Sequence, residues 1–178
     1  MPEKKLKPFG RKTIKLEAGT LLLRPVRTSD AKALNGIVNE PGVNDFLLVE
    51  RPLSLASTRK VINDDKTHRW IVAELDGRVV GSVSIRPGIG RQDKVCGFGI
   101  AFSRKVHGKG IANAALKECL GWMDAIGFDN CTAQVNEDNT KARKFYKKMG
   151  FRELARIPRQ MRKGKRLVGL YTIQKIFR

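Results

Sequence analysis

Two short stretches hold the residues whose types and spacing can do chemistry. The first, FSRKVHGKGIAN from Phe102 to Asn113, reads as a strand end, a glycine-containing loop and the start of an amphipathic helix. Unpaired N–H groups at a helix start carry partial positive charge, and glycines let a ligand approach the backbone, so the stretch is a candidate phosphate cradle. Lys109, with Lys105 and Arg104 close by, adds charge to it. Neither GxxxxGK[ST] nor GxGxxG is present, which excludes a P-loop and a dinucleotide fingerprint. Glycines that serve only helix packing are the competing reading. The second stretch, VNEDNTKARKFYKKMGF from Val135 to Phe151, sets Asn139 and Tyr146 seven residues apart, about two turns or roughly 10 Å along one helix face. An amide and a phenol so placed can line one groove; an N-cap Asn and a core Tyr explain the same pattern.

The elements around these stretches follow from periodicity. Strands are expected at 12–17 and 20–26, then helices from Thr28 or Ser29 to about Asn39 and from Ser54 to about Lys66. Between the helices, Glu40 to Leu53 reads as an irregular, partly buried segment. Asp76-Gly77 between two β-rich runs predicts a type I′ hairpin over 70–86. A strand at 94–102 follows, where Gly97 and Gly99 suggest a bulge or a close approach by another molecule. A helix over 108–126, a strand over 130–135, a helix over 139–149 and a terminal hairpin of 151–162 with 166–176 complete the chain. This order gives an α+β fold: a mixed, mostly antiparallel sheet flanked by helices on both faces, an α/β/α sandwich.

With 178 residues the chain is one domain, expected over 12–178 behind a flexible basic arm at 1–11. Leu, Ile, Val and Phe make up roughly 28% of it, above the ~20% below which a charged chain stays disordered. Three cysteines, no CxxC pair and two His exclude a disulfide framework and point to no metal site. No membrane-length apolar run or secretory leader is present, so the expected location is cytoplasmic. The formal charge of +19 is loaded at the ends, +5 over residues 1–15 and +13 over 141–178. That pattern suits an anionic cofactor, an acidic protein or nucleic acid, and equally a solubilising surface.

Together, in this order and at this separation, the two stretches resemble the GNAT N-acetyltransferase superfamily. The opening LLLRPVRTSDAKAL, the hairpin WIVAELDGRVVGSVSI and the closing GKRLVGLYTIQ add to the likeness and look like the branch of ribosomal-protein and other protein N-acetyltransferases. The resemblance covers roughly residues 12–177. It implies acetyl-CoA as co-substrate, held by a loop of the form Q/R-x-x-G-x-G/A. Here Gly110 and Ala112 match and His107 replaces the Gln or Arg. Gly108, Lys109, Ile111 and Asn113 complete the implied pyrophosphate site, Ile100, Ala101 and Phe102 pair with pantetheine amides, and Asn139 contacts the cofactor. Gly97 and Gly99 fit a bulge that splays their strand from its neighbour. Tyr146 stands where a tyrosine protonates the leaving thiolate.

The general base is the weak point of the match. Some relatives carry Glu five residues before that Asn; here the position is Gln134, which cannot accept a proton. Glu74, Asp93, Glu137 and His68 are the candidates left, each also readable as a surface residue. An α-amine, with a pKa near 8, needs less help than a lysine near 10.4. The expected substrate is therefore a primary amine of a protein, N-terminal or lysine, with ribosomal or RNA contact through the basic surface, in a monomer or homodimer. A small-molecule amine or amino acid, and a non-catalytic CoA- or RNA-binding module, are the alternatives. Polyamine cations would be repelled.

Overall fold

The Asp76-Gly77 dipeptide folds as a type I′ turn requires, with φ of +47° and +78°. It joins β3 (Arg69–Leu75) to β4 (Arg78–Pro87) in antiparallel register. In the computed structural model, which describes residues 7–48, 52–63 and 69–177, the remaining strands are β1 (Lys12–Leu16), β2 (Gly19–Pro25), β5 (Val95–Phe102), β6 (Asn130–Asn136), β7 (Arg152–Lys163) and β8 (Arg166–Ile176). They form one sheet in the order β1-β2-β3-β4-β5-β6-β8-β7, and only β5 and β6 run parallel. Four α-helices among the described residues cover it: α1 (Ala31–Val38), α2 (Leu55–Asn63), α3 (Ile111–Ala125) and α4 (Thr140–Lys148). The expected α/β/α sandwich is what forms.

Strand alternation decides which helices go where. Leu21, Leu23, Ile71, Ala73, Val83, Ile85 and Phe98 face α3 and α4, meeting Ile111, Ala115, Leu116, Cys119 and Met123. The residue between, Val72, faces the other way, onto Ala31 and Leu34 of α1 and Ile62 of α2. Burying each of the Leu, Ile, Val, Phe and Met side chains among these stabilises the fold by about 1.5–3 kcal/mol. Phe9, within the basic arm, is buried, and its ring meets Trp122 of α3 edge to face at 5.7 Å.

Several element ends differ from those the sequence suggested. Neither Thr28 nor Ser29 caps α1; the Asp30 carboxylate accepts from the Arg27 N–H at 2.7 Å, and a single 3₁₀ turn over Thr28–Asp30 precedes the helix. The described part of the second helix ends at Asn63, and Lys66 lies outside the described residues. Segment 40–48 contains one 3₁₀ turn, Asn44–Phe46, with Val43 buried beside it. Among the described residues no helix is long and apolar enough to cross a membrane.

Candidate active site between two splayed strands

β5 and β6 are partners over three residue pairs only: Val95 with Asn130, Cys96 with Cys131, and Gly97 with Thr132. Beyond them β5 stays with β4 as far as Phe102 opposite Gly81, while β6 stays with β8 as far as Asn136 opposite Leu170. The sheet is thus split into a V that opens from Gly97 upward. Along Phe98 to Phe102 the β5 backbone has a strand partner on one side only, and its other edge suits an extended, amide-containing ligand. The bulge expected at Gly97 and Gly99 is absent, because the β4–β5 register is continuous across both. The strands part because β6 follows β8. Gly99 answers to a different constraint: a Cβ there would lie 3.2 Å from Ser84 Oγ, which donates to the Gly99 carbonyl at 3.4 Å.

At the open end of the V the chain passes from β5 through a 3₁₀ turn, Arg104–Val106, into α3. Ser103 caps that turn by accepting from the Lys105 N–H at 3.3 Å. His107 closes it: Nε2 donates to the Phe102 carbonyl at 3.1 Å, which commits the ring to the loop itself. Gly108 and Gly110 then take φ of +78° and +74°, a region that side chains disfavour, and nothing lies within 4 Å of where a Cβ would stand. The first bond of α3 runs from the Ala114 N–H to the Gly110 carbonyl at 3.0 Å. The N–H groups of Ile111, Ala112 and Asn113 precede it and are the open donors of the helix start. Ile111 is fully buried and Phe102 lies over Gly81, so these two offer a ligand their backbone alone. Lys109 is exposed beside the cradle. Arg104 is not free for it: its N–H meets the Glu40 carboxylate at 2.9 Å and its guanidinium the Pro41 carbonyl at 3.4 Å.

Across the V, Asn139 caps α4, accepting from the Ala142 N–H at 3.1 Å through Oδ1. Its side-chain N–H₂ has no partner among the described residues. Tyr146 lies two turns on, buried, ringed by Phe98, Phe145 and Phe151 at 5.2–5.7 Å. Phe98 is the first β5 residue past the last β5–β6 pair, so the phenol sits against the splayed edge. Burial pushes its pKa above the ordinary tyrosine range, wider of a thiolate near 8 to 9 than the sequence alone suggested.

The candidate bases divide. Glu74 is bound to Arg24, which also grips Asp30 through two 2.8 Å bonds in a nearly dry cluster. Glu137 accepts from the Gly169 N–H at 2.7 Å and from Arg156 at 2.7 Å, and these bonds hold its carboxyl below the usual range. Both are structural. Asp93 sits exposed after a turn far down β5, His68 lies outside the described residues, and Gln134 is exposed on β6. All three cysteines are free and buried; the hydrogen bond with Cys131 and then burial raise the Cys96 thiol above its ordinary range, and burial raises that of Cys119.

Two residues that the sequence did not single out belong to this region. Asn136, at the last position of β6, donates from Nδ2 to the Phe46 carbonyl at 2.9 Å and is 1% exposed. Lys163, where the terminal hairpin turns, stands 4.2 Å over the Phe46 ring and 2.8 Å from Asp138. Through Phe46 the 40–48 segment, β6 and the terminal hairpin meet on one side of the V. Among the described residues no cluster of His, Cys, Asp and Glu can hold a metal.

Comparison with known proteins agrees with this geometry. Residues 20–152 match the model of the acetyltransferase (GNAT) domain. An L-amino acid N-acetyltransferase of Escherichia coli is 31% identical over 137 residues, 74% of this chain and 82% of that protein. Among solved structures, a ribosomal-protein-alanine N-acetyltransferase from Brucella melitensis superposes with a TM-score of 0.77 at 23% identity, covering 87% of this chain and 99% of that one. A spermidine N-acetyltransferase from Vibrio cholerae, in complex with CoA and spermine, gives 0.79 at 20% identity, over 88% and 95%. A split sheet, a glycine-bearing helix start facing the split and a family match across most of the chain make this protein an N-acetyltransferase of the GNAT family.

Proposed function

We propose that the acetyl donor is acetyl-CoA and that the acceptor is an α-amine, in the first place that of a protein N-terminus. The observation that carries the donor is the α3 cradle: three open N–H groups behind two positive-φ glycines with empty space where Cβ atoms would stand. A pyrophosphate fits such a site, and the free edge of β5 from Ile100 to Phe102 suits the pantetheine amides. Gly108, Gly110, Ile111, Ala112 and Asn113 would serve through the backbone, Lys109 by its charge, and Asn139 through its unpartnered N–H₂. His107 would act by holding the loop in shape.

Bound there, acetyl-CoA supplies an activated thioester, whose carbonyl carbon takes the amine lone pair while the C–S bond breaks. The residues of the chain handle the protons. Tyr146, kept neutral by burial, would offer its O–H to the departing sulfur, and the proton that the attacking nitrogen sheds as the amide forms would return through water to the phenolate. Among the described residues Glu74 and Glu137 are occupied and Gln134 is no base, which favours an amine that is partly neutral without help. At pH 7 an α-amine with a pKa near 8 is neutral for roughly one molecule in ten, and a lysine near 10.4 for fewer than about one in a thousand. The meeting of the 40–48 segment with the terminal hairpin at Phe46 supports an acceptor that enters end-on. Strong positive charge disfavours polyamines and suits a partner presented among phosphates, such as a ribosomal protein on its RNA.

A free L-amino acid is the second reading, favoured by the E. coli relative, and its carboxylate would suit the basic surface. The test is thiol release from acetyl-CoA with a panel of alanine-initiated peptides, free L-amino acids, an Nα-blocked lysine peptide and spermidine. Turnover confined to α-amines supports the proposal. Turnover of the blocked lysine peptide or spermidine alone contradicts it.

A further inference from the structure

Between α3 and the C-terminal end of α4 lies a groove of about 530 Å³ that the chemistry described above does not use. It starts at Asn113, whose backbone N–H is one of the three open donors of the cradle, and continues along α3 past Lys117, Leu120 and Gly121. Asn113, Lys117 and Gly121 follow one another at intervals of four residues, so they stand on a single stripe with about 6 Å of helix rise between neighbours. The facing wall is Lys148 and Met149 at the end of α4 and Phe177 after β8. Lys117 and Lys148 are exposed and have no hydrogen-bond or acidic partner among the described residues, whereas Lys175 beside them donates to the Met149 carbonyl at 3.0 Å. Gly121 is the residue that packing leaves unexplained. It is exposed in the middle of α3 without a positive φ, and nothing lies within 4 Å of where its Cβ would stand. Glycine is disfavoured at such a position relative to alanine. Its effect here is to leave the floor of the groove bare.

We propose that this groove binds the nucleotide end of the acetyl donor: Lys117 holds the 3′-phosphate of its ribose, and the adenine lies over Gly121 against Leu120, Met149 and Phe177. This rests on the acetyl-CoA reading above. With the pyrophosphate on the N–H groups of α3 and the pantetheine arm directed into the V, the ribose and base must leave the cradle on its outer side, and the groove begins there. Its chemistry suits them, with an apolar strip for a flat base and unpaired cations for a phosphate. Asp124, nearly a turn beyond Gly121, closes the far end to an anion, which puts the phosphate at the Lys117 end. Lys148 adds positive charge from the facing wall.

Titration calorimetry with CoA and with 3′-dephospho-CoA tests the assignment without turnover. The wild-type protein should bind CoA about fivefold more tightly than its dephospho form. Lys117→Gln should erase that difference, weakening CoA about fivefold and 3′-dephospho-CoA less than about twofold. Lys15→Gln makes the same charge change on the sheet face away from α3, since its neighbours Ile14 and Leu16 pack toward α3, and should alter neither affinity. Gly121→Leu fills the floor with a residue that favours helix, so its melting temperature should equal or exceed that of the wild type, while both ligands weaken by about tenfold. Equal wild-type affinity for CoA and 3′-dephospho-CoA, or a Lys117→Gln loss that is the same for both, would overturn the phosphate assignment and leave the acetyl-CoA reading standing. Unchanged CoA binding by a folded Gly121→Leu would overturn the placement of the base. A wild-type protein that binds neither form would overturn the acetyl-CoA reading and this inference with it.

Discussion

Tyr146 and Asp30 show how burial and partners give similar-looking polar residues different work. Tyr146 has apolar rings around it and burial alone raises its pKa, so the phenol stays protonated across the range in which the enzyme would operate. Replacing it with Phe should lower kcat by about 100-fold while acetyl-CoA affinity changes less than about twofold, measured by thiol release and calorimetry. The sign of the shift also predicts that the wild-type enzyme shows no alkaline loss from this group up to about pH 10. Asp30 is the opposite case. Burial alone would raise its pKa, but bonds from Arg24 and from the Arg27 N–H outweigh that and hold it below the ordinary value. Because the folded-state pKa is depressed, the stabilisation is present above the unfolded value near 4 and fades as pH falls through the folded one. Asp30→Asn leaves the Arg24 guanidinium buried and poorly paired, and urea unfolding at pH 7 should show a loss of about 3 kcal/mol that shrinks in acid. Neither the Arg24 cluster nor the amide of Asn136 can be seen in the sequence. Glu74 lies 50 residues from Arg24, and Phe46 lies 90 from Asn136.

Among the elements, the cradle is the most local and was the most legible. The glycines at 108 and 110, the helix stripe of α3 and the Asp-Gly turn each depend on residues within a few positions, and sequence spacing reports such constraints directly. Gly110→Glu introduces both a strained φ and an anion where phosphate should lie, so acetyl-CoA affinity should fall at least tenfold, about 1.4 kcal/mol, in a protein that still unfolds cooperatively. Unchanged affinity would remove the cradle from the cofactor site. The split between β5 and β6 was less legible. Gly97 and Gly99 drew attention to the right strand for an incomplete reason: pairing stops after Gly97 without a bulge, since β6 is held by β8 over seven pairs and leaves β5 after three. Strand partnership is a long-range outcome that a glycine marks only indirectly.

Across the whole molecule, the end-loaded charge takes a definite place. β7 is an edge strand, and Arg152, Arg159, Arg162, Lys165 and Arg166 on or beside it have no acidic partner among the described residues, whereas Arg143, Arg156 and Lys163 do. If this edge meets RNA, binding of an rRNA hairpin should weaken with salt at a log–log slope of about −3 or steeper, and substituting Arg159 and Arg162 by Gln should flatten it by about two. Salt-insensitive binding would assign the charge to solubility instead. The same surplus leaves the identity of the acceptor to be decided at the V. The most direct measurement is the intact mass of an alanine-initiated ribosomal protein after incubation with enzyme and acetyl-CoA, with the site mapped by fragmentation. A single acetyl group on the α-amine, lost with Tyr146→Phe, is the predicted result; acetylation at lysine side chains alone, or an unchanged mass while free L-amino acids are turned over, would contradict it.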